Sequence, residues 1–101
     1  MAEFVKAASL SELSPGSAKV VEVAGKTLAL FNVGGTIYAT DNTCLQQGGP
    51  LGEGELTSEV VVCPWHQWEY NVRTGANVGN AFLKLATYPV QVEGGDIKVG
   101  V

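Results

Sequence analysis

Paired small residues recur along this chain at intervals that leave room only for short extended segments. Ala24-Gly25, Gly34-Gly35 and Gly94-Gly95 each separate runs rich in β-branched and other apolar residues. That is the pattern of tight hairpin turns, where positive φ is required and glycine adopts it without strain. Residues 19–23, 27–33 and 36–40 therefore predict an antiparallel meander of three strands. Residues 88–93 and 97–101 predict a further hairpin, and 4–7 a first short strand. Residues 11–16, closing on Pro15-Gly16, read as a turn region. No apolar repeat of helical period extends over ten residues. The expected fold is all-β, an antiparallel sandwich or barrel.

The middle of the chain breaks this rhythm. From residue 41 to about 79 it is rich in loop signals, with Gly-Gly-Pro, Gly-Glu-Gly and Thr-Gly steps and one strand-like run at 59–62. This stretch carries both cysteines and the single histidine. The 101 residues suit one domain, 1–101, with 41–79 as a small loop-rich insert on a β-scaffold. Loops on a rigid scaffold are where chemistry usually sits.

Charge excludes some functions. Net charge is −4, and no Lys/Arg cluster is available to neutralise phosphates, which argues against nucleic acid as a partner. No apolar stretch approaches the roughly 18 residues of a membrane helix. Residues 1–16 lack the basic and apolar regions of a secretory leader. The expected location is the cytoplasm, where two cysteines are ligands or core residues rather than a structural disulfide. Glu53, Glu55, Glu59 and Glu69 fall around the cysteines. They are either solvated loop charge or a negative patch that steers a basic redox partner.

The residues that carry chemistry are Cys44, Cys63 and His66. They lie in Cys44-Leu45-Gln46-Gln47-Gly48-Gly49-Pro50 and Cys63-Pro64-Trp65-His66. Two tight loops of this kind can bring two thiolates and an imidazole to one point. Thiolates select zinc, copper or iron–sulfur clusters, and imidazole is compatible with all of them. Pro64 stiffens its loop, while Gly48 and Gly49 permit close backbone approach. A nucleophile–base pairing of Cys63 with His66 lacks an evident third member. Trp65, Trp68 and Tyr70 read first as packing.

In these segments the chain resembles the Rieske-type [2Fe–2S] ferredoxins, of the soluble, low-potential class. That family carries C-x-H and C-x-x-H about sixteen residues apart. Here sixteen residues separate Gln46 from Cys63. The neighbouring words agree as well: Gly48-Gly49-Pro50-Leu51-Gly52-Glu53-Gly54, Val61-Val62-Cys63-Pro64-Trp65-His66, Tyr70-Asn71-Val72-Arg73-Thr74-Gly75 and Tyr88-Pro89-Val90. The resemblance implies a Rieske-like fold with 41–79 as the cluster-binding insert. It implies a [2Fe–2S] cluster with Cys44 and Cys63 on one iron and His66 on the other. Gln46 stands where the second histidine is expected. Gln67 replaces a usual glycine, and Gly79-Asn80-Ala81 a usual proline loop.

The amide of Gln46 is neutral like imidazole, but its oxygen is a hard, weak donor for this iron. The site then holds a cluster completed by Gln46 or water, a mononuclear metal on Cys44, Cys63 and His66, or no metal. The first reading implies a one-electron carrier between a reductase and a terminal oxygenase or similar oxidoreductase, not an enzyme by itself. The alternative is a Rieske-fold module with a mononuclear metal or none, acting as a small subunit or interaction partner of an oxidoreductase, as in nitrite reductase small subunits.

Overall fold

A computed structural model describes residues 3–43, 50–65, 67–80 and 82–101. They form ten strands in three antiparallel sheets. The strands are β1 (Phe4–Ser9), β2 (Ala18–Val23), β3 (Lys26–Val33), β4 (Thr36–Asp41), β5 (Glu55–Thr57), β6 (Val60–Val62), β7 (Glu69–Asn71), β8 (Thr87–Tyr88), β9 (Val90–Glu93) and β10 (Asp96–Gly100). Helical structure among the described residues is limited to single 3-10 turns at Leu10–Glu12 and Leu51–Glu53. The all-β, antiparallel expectation holds.

Turn stereochemistry accounts for the hairpins. Ala24 and Gly25 have φ of 51° and 80°, Gly34 and Gly35 58° and 101°, and Gly94 and Gly95 56° and 86°. Two consecutive positive φ angles match the twist of the flanking strands. The meander β2–β3–β4 follows, with β8 added to the outer side of β4. A second sheet has the order β1-β10-β9, so strands near both chain ends meet.

Strand β3 organises the interior. Its residues 28–32 are all buried, because both of its faces are covered. Leu28 and Leu30 point to one side, into a core shared with Val21, Val23, Ile37, Ala39, Ile97 and Val99. Ala29 and Phe31 point to the other side, against Leu51, Val61, Cys63, Tyr70, Val72 and Leu85. The period of two along a strand produces this division. Each large side chain buried this way contributes about 1.5–3 kcal/mol.

Two expectations are corrected. The stretch between β4 and β8 is not loop with a single strand run; β5, β6 and β7 form a third sheet there. Strands of three residues carry too little periodicity to be read locally, and their partners create them. Residues 88–93 are not one strand either. Pro89 lacks an N–H and stands where the chain leaves β4 as partner (β8) and joins β10 (β9). The Tyr88 hydroxyl donates to Asp41 Oδ1 at 2.6 Å, tying β8 to the last residue of β4. That hydrogen bond, then burial and the Asp41 charge, push the Tyr88 phenol up to about 12.

Candidate metal centre

The third sheet has two chemically different faces. Leu56, Val61 and Tyr70 are in register across β5, β6 and β7, and this row turns inward, with Val61 and Tyr70 fully buried. Glu55, Val62 and Glu69 form the neighbouring row, and by the alternation of the pleat they share the outer face. Cys63 follows β6 directly and is fully buried in the core beneath β3. Its N–H donates to Trp68 O at 2.7 Å and closes the loop 63–68 at its root.

The residues on either side of 44–49 are joined in a similar manner. Thr43 and Pro50, which flank residues 44–49, pair as an antiparallel bridge. Leu51 N–H donates to Asn42 O, and Gly52 N–H to Asn42 Oδ1, each at 2.7 Å. Asn42 is buried, so its amide carries out a structural task that hydrophobic pattern alone does not reveal. Gly54 then brings this root against the second loop. A Cβ on Gly54 would run into Val62 O, one residue before Cys63.

Of the residues singled out for chemistry, Cys63 is described and buried; Cys44, Gln46 and His66 lie outside the described residues. Tyr70 is in the same core cluster as Cys63, consistent with packing, and Trp68 packs against that cluster. Trp65 is instead 49% exposed. Glu59 is engaged locally, accepting from Asn71 Nδ2 at 3.0 Å and lying 3.8 Å from Arg73 Nε. Gln67, Trp68, Glu69, Asn77, Asn80 and Leu83 line part of an open cleft of about 470 Å³ beside the 63–68 loop. Asn77 and Asn80 build its far wall, and the sequence signal for both is the Asx-turn habit of asparagine.

The Rieske [2Fe–2S] domain matches residues 3–89. The chain belongs to this family. It is 38% identical to the ferredoxin component of the naphthalene 1,2-dioxygenase system of Pseudomonas putida, over 90% of this chain and 88% of that protein. A chain of the complex of reduced oxygenase and oxidised ferredoxin in carbazole 1,9a-dioxygenase superposes with a TM-score of 0.87 at 32% identity, covering 96% of this chain and 92% of that one. The putative NADH-dependent nitrite reductase small subunit of Mycobacterium tuberculosis reaches 0.91 at 21% identity, covering 100% and 96%, which is a likeness of fold alone. Within the Rieske family this chain is of the ferredoxin kind, an electron carrier rather than an enzyme by itself.

The Rieske resemblance puts a glycine at position 67, and the backbone explains why. Gln67 has φ of 59°, in the left-handed region where a side chain costs about 1–2 kcal/mol. Part of that cost is offset by the extra freedom glycine has when unfolded. Gln67→Gly is therefore expected to stabilise the protein by about 0.5–1 kcal/mol, raising the melting temperature by roughly 2–8 °C. Thermal denaturation of the two proteins checks this, and an unchanged or lower midpoint contradicts it.

Proposed function

We propose that this chain is the ferredoxin component of an oxygenase system, taking one electron at a time from a reductase and passing it to a terminal oxygenase. The observation that carries the reading is the Rieske domain match over residues 3–89 together with relatives that are ferredoxin components of dioxygenase systems. The chain is read as one domain, 1–101, with the cluster-binding insert at about 41–79, working in the cytoplasm. Among the described residues no helix is long and apolar enough to cross a membrane.

Cys44 and Cys63 would hold one iron of a [2Fe–2S] cluster and His66 the other, with Gln46 in the place of the second histidine. The donor set supports this assignment at three positions. Among the described residues no three His, Cys, Asp or Glu side chains gather as a metal site. The remaining residues add one Cys and one His, Cys44 and His66, to Cys63. Two thiolates and an imidazole suit iron with sulfide; an amide oxygen from Gln46 suits it poorly. When bound, the cluster supplies reversible one-electron chemistry. The protein's own contribution is burial and backbone positioning. The core around Cys63 excludes water, and the hydrogen-bonded roots at Asn42 and Trp68 hold both loops. Such surroundings tune reduction potential.

Anaerobic purification followed by iron, sulfide and visible-absorption measurements tests the reading. Two irons and two sulfides per chain, with a brown colour, are expected. A protein that remains colourless and free of iron after reconstitution overturns it in favour of a cluster-free module.

A further inference from the structure

The ladder between β4 and β8 is short, and a cavity opens where it ends. Ala39 pairs with Tyr88 and Thr40 with Thr87; at Pro89 the chain then leaves the edge of β4 and joins β10 as β9. Beside Ile37 and Tyr38, where a longer β8 would lie, there is a cavity of about 350 Å³. Val72 and Arg73, on the turn after β7, close its other side. The cavity therefore sits at the junction of the four-stranded sheet with the third sheet. It shares no lining residue with the cleft beside the 63–68 loop. Small-molecule sites of roughly 300–1,000 Å³ favour such junctions.

Its walls are mainly apolar and aromatic. Val72 is buried, and Tyr38 and Tyr88 are half-buried. The Tyr88 hydroxyl is committed to Asp41, so this residue offers the cavity its ring. Arg73 is the one charged residue of the lining. Asn71 Oδ1 accepts from the N–H groups of Arg73 at 2.9 Å and Thr74 at 3.2 Å, which fixes the turn that carries the arginine. The Arg73 side chain is 59% exposed and its ion pair is loose: Glu59 Oε2 lies 3.8 Å from Nε, beyond hydrogen-bond reach. Glu59 Oε1 is held instead by Asn71 Nδ2 at 3.0 Å. The Asp41 carboxylate opposes an anion at this end of β8, and the Lys26 ammonium, 5.5 Å from the Tyr88 ring centroid, offsets it.

We infer that this cavity binds a small aromatic monocarboxylate, with its ring against Tyr38, Val72 and Pro89 and its carboxylate on the Arg73 guanidinium. The planar guanidinium fork matches a carboxylate through two parallel hydrogen bonds. A rigid ring fills an aromatic-walled space at low entropic cost. Thr87 adds a hydroxyl to the lining. One guanidinium balances one negative charge; a dianionic phosphate would leave a charge uncompensated on a chain that already carries −4. The bound acid would bridge β4 to the turn after β7, so binding also stabilises the junction of the two sheets. The inference goes beyond the electron-carrier reading and does not depend on it.

Titration of the purified full chain with sodium benzoate, followed by nuclear magnetic resonance and thermal denaturation, tests it. A Kd of about 0.1–1 mM is expected, with saturable shifts at the Tyr38, Val72 and Thr87 amides. At ten times Kd the melting temperature should rise by roughly 5–10 °C. Arg73→Gln should weaken Kd at least about tenfold. Arg73→Lys, which keeps the charge but loses the fork, should weaken it by roughly threefold. Lys84→Gln removes a cation outside the cavity and should leave Kd unchanged. Benzamide, which is neutral, and acetate, which lacks the ring, should each bind at least about tenfold more weakly than benzoate. No saturable shift up to about 10 mM benzoate overturns the inference. So does a parental Kd for Arg73→Gln, whose unliganded melting temperature reports that it is folded, or equal binding of benzamide. A protein that holds no iron yet binds benzoate through Arg73 would refute the electron-carrier reading and support this site, so the two failures are distinguishable.

Discussion

Gln46→His is expected to raise the iron and sulfide retained after anaerobic reconstitution and to give the spectrum of a cluster with two histidines. The physical reason is donor match. Imidazole and the glutamine amide are both neutral, so the exchange leaves the formal charge of the site unchanged, but nitrogen suits this iron far better than a hard amide oxygen. Loss of even an outer partner of a metal ligand shifts affinity by about 10–100-fold. With position 46 as the proposed fourth ligand, the exchange should have an effect at least on the order of tenfold. Reconstitution of both proteins under identical conditions, followed by iron, sulfide and electron paramagnetic resonance measurements, decides the matter. Equal cluster yield would mean that position 46 is not the limiting defect. Gln67 and Asn80 line the open cleft.

Gly54→Ala should be strongly damaging although only one methyl group is added. Gly54 has φ of −78° and ψ of 174°, a conformation open to any residue. Its requirement for glycine is therefore one of space, not of backbone freedom. The added methyl group would meet Val62 O, and Val61 Cγ2 and Leu51 O lie 3.2 Å away. Backbone cannot rotate aside as a side chain can, so the root of the 44–49 loop must shift relative to β6 and Cys63. Overpacking of this kind costs about 2–3 kcal/mol, which corresponds to a fall in melting temperature of roughly 10–20 °C for a domain of this size. Cluster content should fall with it on the proposed assignment of Cys44 and Cys63 as ligands. Thermal denaturation with parallel iron analysis reads both effects. A shift smaller than about 3 °C with full iron content would show that the contact relaxes cheaply.

Much of the scaffold was legible from local chemistry. The glycine pairs at 34–35 and 94–95, and Ala24-Gly25, announced hairpins that the φ angles bear out. The continuous apolar run of β3 announced a buried strand. The spacing of the two cysteine-bearing segments pointed to the Rieske family, whose domain matches residues 3–89. Other features left no local trace. Glu55-Leu56-Thr57 and Glu69-Tyr70-Asn71 hold one large apolar residue each, so neither shows a period. They become strands because β6 offers both of its edges.

What the sequence by itself determined was the turn positions, the all-β class and the cysteine-bearing segments that place the chain in the Rieske family. Each depends on the stereochemistry or ligand preference of residues close together in the chain. Only the tertiary structure decided that β3 separates two cores, that Pro89 divides one apparent strand between two sheets, and that Gly54 presses against Val62 beside Cys63. It also decided that Gln67 and Asn80 face one cleft at whose margin Phe82 stands exposed. These features are encounters between segments distant in the chain. Their energies come from packing and excluded volume, which pattern within a single segment does not encode.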